Sequence, residues 1–318
     1  MRRLLIDTDP GVDDSMMIQL ALASPEVRVE ALTTVFGNSD VDTTTRNALT
    51  NLDIAGRTDI PVARGAAKPL TRPAIAKYPV HVHGDDGLGN ARRPSPRGAA
   101  IATPAASLIV ERVMQSPGEL TLLAVGPLTN LALAVSLEPV IAGCVREVVV
   151  MGGAIGRGNV SPTAESNVHH DPEAARIVFH AGWPITMVGP DVTTKTLMTA
   201  DRLERLHEAH TRVTDFLAAI TPFYFQYHSG RLGRPAMPVH DSTALAYVLD
   251  GTLFTTQALY VDVEVRGELT TGQTIADVRG QLGREPNVTV CVDVNADRVL
   301  ELYVERLTRA RPASEVAG

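Results

Sequence analysis

The densest chemistry in this sequence lies at its start. Asp7-Thr8-Asp9-Pro10-Gly11-Val12-Asp13-Asp14 places four carboxylates within eight residues, directly after a short apolar run. Pro10-Gly11 supplies turn chemistry. Asp13 and Asp14 then open an apolar helical stretch whose N-terminal dipole favours negative charge. Capping accounts for one aspartate and turn preference for another. Four side by side repel one another unless a cation or shared protons compensate. All the candidate side-chain ligands are oxygens, which suits Ca²⁺ or Mg²⁺ rather than zinc or copper. A solvated acidic turn is the plain alternative.

Three further groups gain meaning only if the fold gathers them. His240-Asp241-Ser242 precedes the apolar run Thr243–Leu249, where Asp241 by itself reads as a helix cap and His240 as structural. Glu165-Ser166-Asn167 lies in the polar loop 156–171 with Asn159, and such groups hydrogen-bond vicinal hydroxyls, as on a sugar. Gly37-Asn38 follows the second apolar run and alone is ordinary turn chemistry. Two other patterns point elsewhere. Gly152–Gly158 faintly resembles a dinucleotide loop, but a polar stretch containing Pro162 follows it instead of a helix. The strand-end Asp7-Thr8-Asp9 resembles haloacid dehalogenase-type phosphohydrolases, with Gly84-Asp85-Asp86-Gly87 as a later acidic motif. That reading leaves Asp13-Asp14, His240-Asp241 and the Glu165/Asn167 loop unexplained.

The elements that must position these residues alternate. Apolar runs at Leu4–Asp7, Val29–Phe36, Ile60–Ala63, Leu120–Val125, Glu147–Met151 and Ile185–Val188 read as strands. Helical patterns lie between them at Asp13–Ala23, Thr43–Ala55, Pro104–Gln115, Asn130–Ser136 and Pro172–Ala181. This alternation predicts a doubly wound α/β fold: one domain, a mostly parallel sheet, helices on both faces. Ligands in such sheets bind beyond the carboxyl ends of the strands, where the polar motifs fall. Residues 64–104, rich in Pro, Gly and Arg, read as a long functional loop. Residues 201–250 read as mainly helical, followed by β-like segments Leu259–Val265 and Val288–Val294 and a last helix from Ala296 to about Arg306.

Bulk properties agree. The 318 residues are 44% hydrophobic, enough for a substantial core. A net charge of −7 argues against a nucleic-acid groove or a polybasic membrane surface. Cys144 and Cys291 read as two buried thiols, not a disulfide or zinc set. The apolar run at the start is too short for a signal peptide, and no run is long enough to span a membrane, so a cytoplasmic protein is expected.

Taken in order, DTDPGVDD, TTVFGN, HVHGDDGLG, AVGPLTN, VVVMGGAIGRGN, AESNVHHDPEAA, MVGPDVT and VHDSTALAYV resemble the inosine–uridine preferring nucleoside hydrolases. The resemblance runs from about residue 3 to about residue 307. It implies a ribonucleoside N-ribohydrolase with a tightly bound Ca²⁺ held by Asp9, Asp14, Asp241 and the backbone carbonyl of Val125. By the same resemblance Asp9 is the general base toward the calcium-bound water. Asp13, Asn38, Asn159, Glu165 and Asn167 hold the ribose hydroxyls. His240 sits near the departing base and His83 lines the base pocket; a histidine titrates near neutral pH, so His240 there can serve as a proton donor to the base. It further implies a homodimer or homotetramer. The chain departs from the family at Ser166, where Phe is usual. It also has a single tryptophan, Trp183, in a core setting, whereas purine-specific members stack the base on tryptophans. That favours broad or pyrimidine-leaning substrates. The alternatives are the phosphohydrolase and a calcium-dependent nucleoside-binding protein without turnover.

Overall fold

The computed structural model describes residues 1–309; the expected single domain of 1–318 therefore has residues 310–318 outside the described part. The described residues form twelve strands: β1 Arg2–Thr8, β2 Val27–Thr34, β3 Val62–Arg64, β4 Leu120–Ala124, β5 Glu147–Val150, β6 Ile185–Met187, β7 Leu197–Thr199, β8 Ala236–Pro238, β9 Phe254–Leu259, β10 Val261–Val263, β11 Thr274–Ala276 and β12 Val288–Val294. Eight form the central sheet, in the order β3-β2-β1-β4-β5-β6-β12-β9. Every neighbouring pair is parallel except β12 and β9.

Side-chain alternation explains why the sheet is buried on both faces. Along β1, Leu4 and Ile6 enter one core, with Met16, Met17 and Leu20 of the helix Val12–Ala23. Leu5, pointing the other way, enters the second core with Ile109, Leu131 and Val178 from helices on the opposite face. β4 divides in the same manner, Leu123 to the first core and Leu122 with Ala124 to the second. Trp183 lies in the second core, 3% exposed, as its sequence context predicts.

The expected strands and helices are found with ends shifted by a few residues. The predicted strand Leu259–Val265 is divided instead, because the chain leaves the sheet at Tyr260 and re-forms as β10 against β11. The antiparallel edge strand β9 has four consecutive exposed residues, Thr255–Ala258, and so lacks the apolar run that marked the others. Cys291 is buried, but Cys144 is only half-buried, because it ends a short helical turn near the surface.

Three arrangements serve the site. The chain leaves β2 into Gly37-Asn38, β4 into Val125-Gly126, and β1 into Asp9-Pro10-Gly11, all at neighbouring carboxyl ends. β7 and β8 pair antiparallel, and the Val239 amide then donates to the Thr196 carbonyl, delivering the helix His240–Leu249 to the same edge. The long loop is tied down: Leu70 N–H donates to Asp171 at 2.9 Å, Arg72 pairs with Glu173 at 2.8 Å, and Ile101 N–H donates to Val62 O at 2.8 Å. Within it, Asp86 accepts from the amides of Leu88, Asn90 and Arg92 and so shapes the turn behind the short helix Val80–His83.

Candidate active site

β1 lies where the order of strands reverses, with β2 and β3 on one side and β4 to β6 on the other. Such a switch point opens a crevice at the strand ends, and the aspartates of the opening motif occupy it. Asp14, at the third position of its helix, reaches back to accept the Gly11 amide at 3.0 Å. It also accepts from Thr8 Oγ1 at 2.6 Å, Asn38 Nδ2 at 3.0 Å and the Asp9 amide at 3.3 Å. Asp9 is fixed by one oxygen only: Oδ2 accepts the Asn38 amide at 2.7 Å, whereas Oδ1 is buried without a partner. Asp13 accepts from the Tyr224 hydroxyl at 3.3 Å through Oδ2, and its Oδ1 is likewise buried and unpartnered.

Asp241 arrives in the first turn of its helix, so that carboxylate oxygens of Asp13, Asp14 and Asp241 lie within 4.8 Å of one another. Burial pushes these carboxyls up, with repulsion adding to it at Asp9, Asp13 and Asp241: Asp13 to about 7, Asp14 above its usual range, and Asp9 and Asp241 well above it. Such a cluster has the donor set of a hard divalent cation, and two orphaned oxygens, Asp9 Oδ1 and Asp13 Oδ1, fit that use. This group of three includes Asp13, which the family resemblance assigns to a sugar hydroxyl.

The loop after β5 contributes next. Glu165 caps the short helix Ser166–His170, accepting from the Asn167 and Val168 amides and bracing Gly153 N–H at 3.0 Å. Burial raises its carboxyl to about 6. Asn167 spends its amide hydrogens on Val125 O at 2.7 Å and Met151 O at 2.9 Å, which brings Val125 into contact with the loop and leaves Asn167 Oδ1 as an acceptor. Asn159 is exposed, and its Oδ1 accepts the Ser166 amide at 2.8 Å.

His83 packs over Gly11, where a Cβ would lie 2.5 Å from His83 Nδ1. That nitrogen accepts the Val12 amide at 3.2 Å, so the ring hydrogen belongs to Nε2. His240 Nδ1 lies 2.6 Å from Thr193 Oγ1. Burial pushes His240 down to about 4, so the ring is neutral near pH 7.

Two neighbours were missed by sequence reasoning. Tyr224 and His228 lie one turn apart on the helix Arg212–Leu232, with ring centroids 4.2 Å apart. Tyr224 is also 5.4 Å from His83, and His228 is 6.3 Å from His240, so these rings wall the space beside the carboxylates. The i, i+4 spacing of Tyr224 and His228 was their available signal, but it looks like any buried helix face. Asp7 is buried beneath the site, held by Thr33 and Asn130 at 2.6 and 2.8 Å.

Fold and site together define a protein of the doubly wound α/β class with a buried carboxylate cluster at the switch point. More narrowly, the chain belongs to the inosine-uridine preferring nucleoside hydrolase family, whose model matches residues 4–301, and it is accordingly a glycosidase-type hydrolase. It is 41% identical to a pyrimidine-specific ribonucleoside hydrolase, RihA, of Citrobacter koseri, over 96% of this chain and 97% of that protein. Among solved structures it is similar to a plant nucleoside hydrolase, PpNRh1, with a TM-score of 0.93, 38% identity and coverage of 97% of this chain and 99% of that one. A purine-preferring ribonucleoside hydrolase from Gardnerella vaginalis superposes with a TM-score of 0.92 at 33% identity, over 96% and 98% of the two chains. The phosphohydrolase reading is thereby set aside. Among the described residues no helix is long and apolar enough to cross a membrane.

Proposed function

We propose that this enzyme hydrolyses ribonucleosides to ribose and free base, with pyrimidine nucleosides as its better substrates, calcium as its cation and Asp9 as its base. The observation that carries this reading is the buried cluster of Asp13, Asp14 and Asp241, with Asp9 hydrogen-bonded to Asp14 beside it and unpartnered oxygens on Asp9 and Asp13. Its pyrimidine leaning is supported by the RihA relatives, and by Trp183 being committed to the core.

Asp9, Asp14, Asp241 and the Val125 carbonyl would hold the cation, with Asp13 within reach; once bound, it supplies Lewis acidity that eases deprotonation of water. Asp9 is suited to the base role because Asn38 fixes one oxygen and leaves the other free to take a proton. Water oxygen bonds to the anomeric carbon, its proton passes to Asp9, and the C–N bond breaks with its electron pair going to the base. The surrounding carboxylates stabilise the positive charge that the ribose develops. A single displacement inverts the anomeric carbon. Asp13, Asn38, Asn159, Glu165 and Asn167 would position the hydroxyls, and His83 and His240 would face the base. The family resemblance also supports a cytoplasmic homodimer or homotetramer acting in nucleoside salvage.

A reducing-sugar assay with uridine, cytidine, inosine and adenosine tests the reading. Ribose release fastest from the pyrimidine nucleosides is expected. Tight binding without ribose release would establish a binding protein instead.

A further inference from the structure

Thr193 lies far from the acidic motif in sequence, closing the helical turn Pro190–Thr193 after β6. It is fully buried, and its hydroxyl sits 2.6 Å from His240 Nδ1. No other hydrogen bond of that hydroxyl is found among the described residues. A buried hydroxyl hydrogen needs an acceptor, and the one at hand is the Nδ1 lone pair. An Nδ1 that accepts carries no hydrogen, so donation in that sense leaves the ring hydrogen on Nε2. The backbone holds the pair together: the Thr196 amide donates to Thr193 O, and the Val239 amide donates to Thr196 O, tying the turn to the residue just before His240.

We infer that Thr193 is a positioning residue for the departing base: it fixes the orientation and tautomer of His240 so that Nε2–H is presented as a hydrogen-bond donor. This rests on the proposed role of His240 beside the base. When the C–N bond breaks, its electron pair goes to the base, and a hydrogen bond from Nε2–H stabilises the charge that collects there. The water proton taken by Asp9 completes the neutral base afterwards, so no additional acid is consumed.

The hydroxyl matters in proportion to how poor the leaving group is. Uridine and 4-nitrophenyl β-D-ribofuranoside share a ribose, but nitrophenolate departs without such help. Thr193→Val keeps shape and removes the hydroxyl; Thr193→Ser keeps the hydroxyl. The test compares kcat and KM on both substrates for these variants, for His240→Ala, and for the double variant Thr193→Val/His240→Ala, with melting temperatures measured alongside. The expected result is a loss of at least about tenfold in kcat on uridine for Thr193→Val. That loss should exceed the loss on the nitrophenyl riboside by a similar factor, with recovery in Thr193→Ser. Adding Thr193→Val to His240→Ala should then cost nothing more, because the two act as a unit. Equal losses on both substrates for Thr193→Val, or losses that multiply in the double variant, would overturn the positioning role. If His240→Ala itself fails to discriminate the two substrates, the underlying assignment of His240 is what falls.

Discussion

The Asn38 amide donates to Asp9 Oδ2 at 2.7 Å and the Asn38 side chain donates to the Asp9 carbonyl at 3.3 Å, while the other carboxylate oxygen, Oδ1, is left buried with no partner. One oxygen is thus anchored and one is available, the arrangement a general base needs. Asp9→Asn keeps the shape but removes the basic oxygen. A kcat loss of about 10²–10⁴-fold on uridine is expected. Its melting temperature should be unchanged or higher without metal, since one buried like charge is gone. Near-normal kcat in the folded variant would reassign the base.

Without a cation, the acidic pocket should make stability fall as pH rises. Burial raises Asp13 and Asp7 to about 7 from a usual value of 3.8, so each favours its protonated form in the folded state. That contribution is fully present below the unfolded value and is lost as pH climbs through about 7. The metal-free protein should therefore melt at a higher temperature at pH 5.5 than at pH 8. Added Ca²⁺ should raise the melting temperature most at the higher pH. A metal-free protein more stable at pH 8 would contradict the cause assigned here.

Asn167 bridges two carbonyls, those of Val125 and Met151, with its own Oδ1 left over. Asn167→Ala strands both carbonyls and should destabilise the protein by about 1–3 kcal/mol. If Oδ1 meets a ribose hydroxyl, kcat/KM should also fall more for uridine than for 2′-deoxyuridine. Equal fractional losses on the two nucleosides would leave Asn167 with a structural task alone.

Gly11 allows His83 to close over the turn. In Gly11→Ala the new Cβ would lie 2.5 Å from His83 Nδ1 and 2.9 Å from Asn38 Nδ2, so both must retreat. KM for uridine should rise severalfold or more in a protein that still folds. An unchanged KM would remove His83 from the substrate pocket.

The strands and the acidic turn were legible because both are local signals. Buried parallel strands read as continuous apolar runs, and four carboxylates in eight residues stand out without any fold. His240 and Asp241 needed the antiparallel pairing of β7 with β8 to reach the site, and that ladder is three residues long on each side. Tyr224 and His228 offered only an i, i+4 spacing common to buried helix faces, and Thr193 offered no signal. Their partners, Asp13 and His240, are 211 and 47 residues away in the first and last cases. The edge strand β9 was missed because its exposed residues gave it no apolar run.

A calcium ion held by the buried aspartates would make ribonucleoside hydrolysis depend on it. The most direct measurement is ribose release from uridine by enzyme verified to be metal-free, before and after adding stoichiometric Ca²⁺. No detectable turnover is expected in the first sample and restored turnover in the second. Full turnover in the verified metal-free enzyme would contradict that dependence.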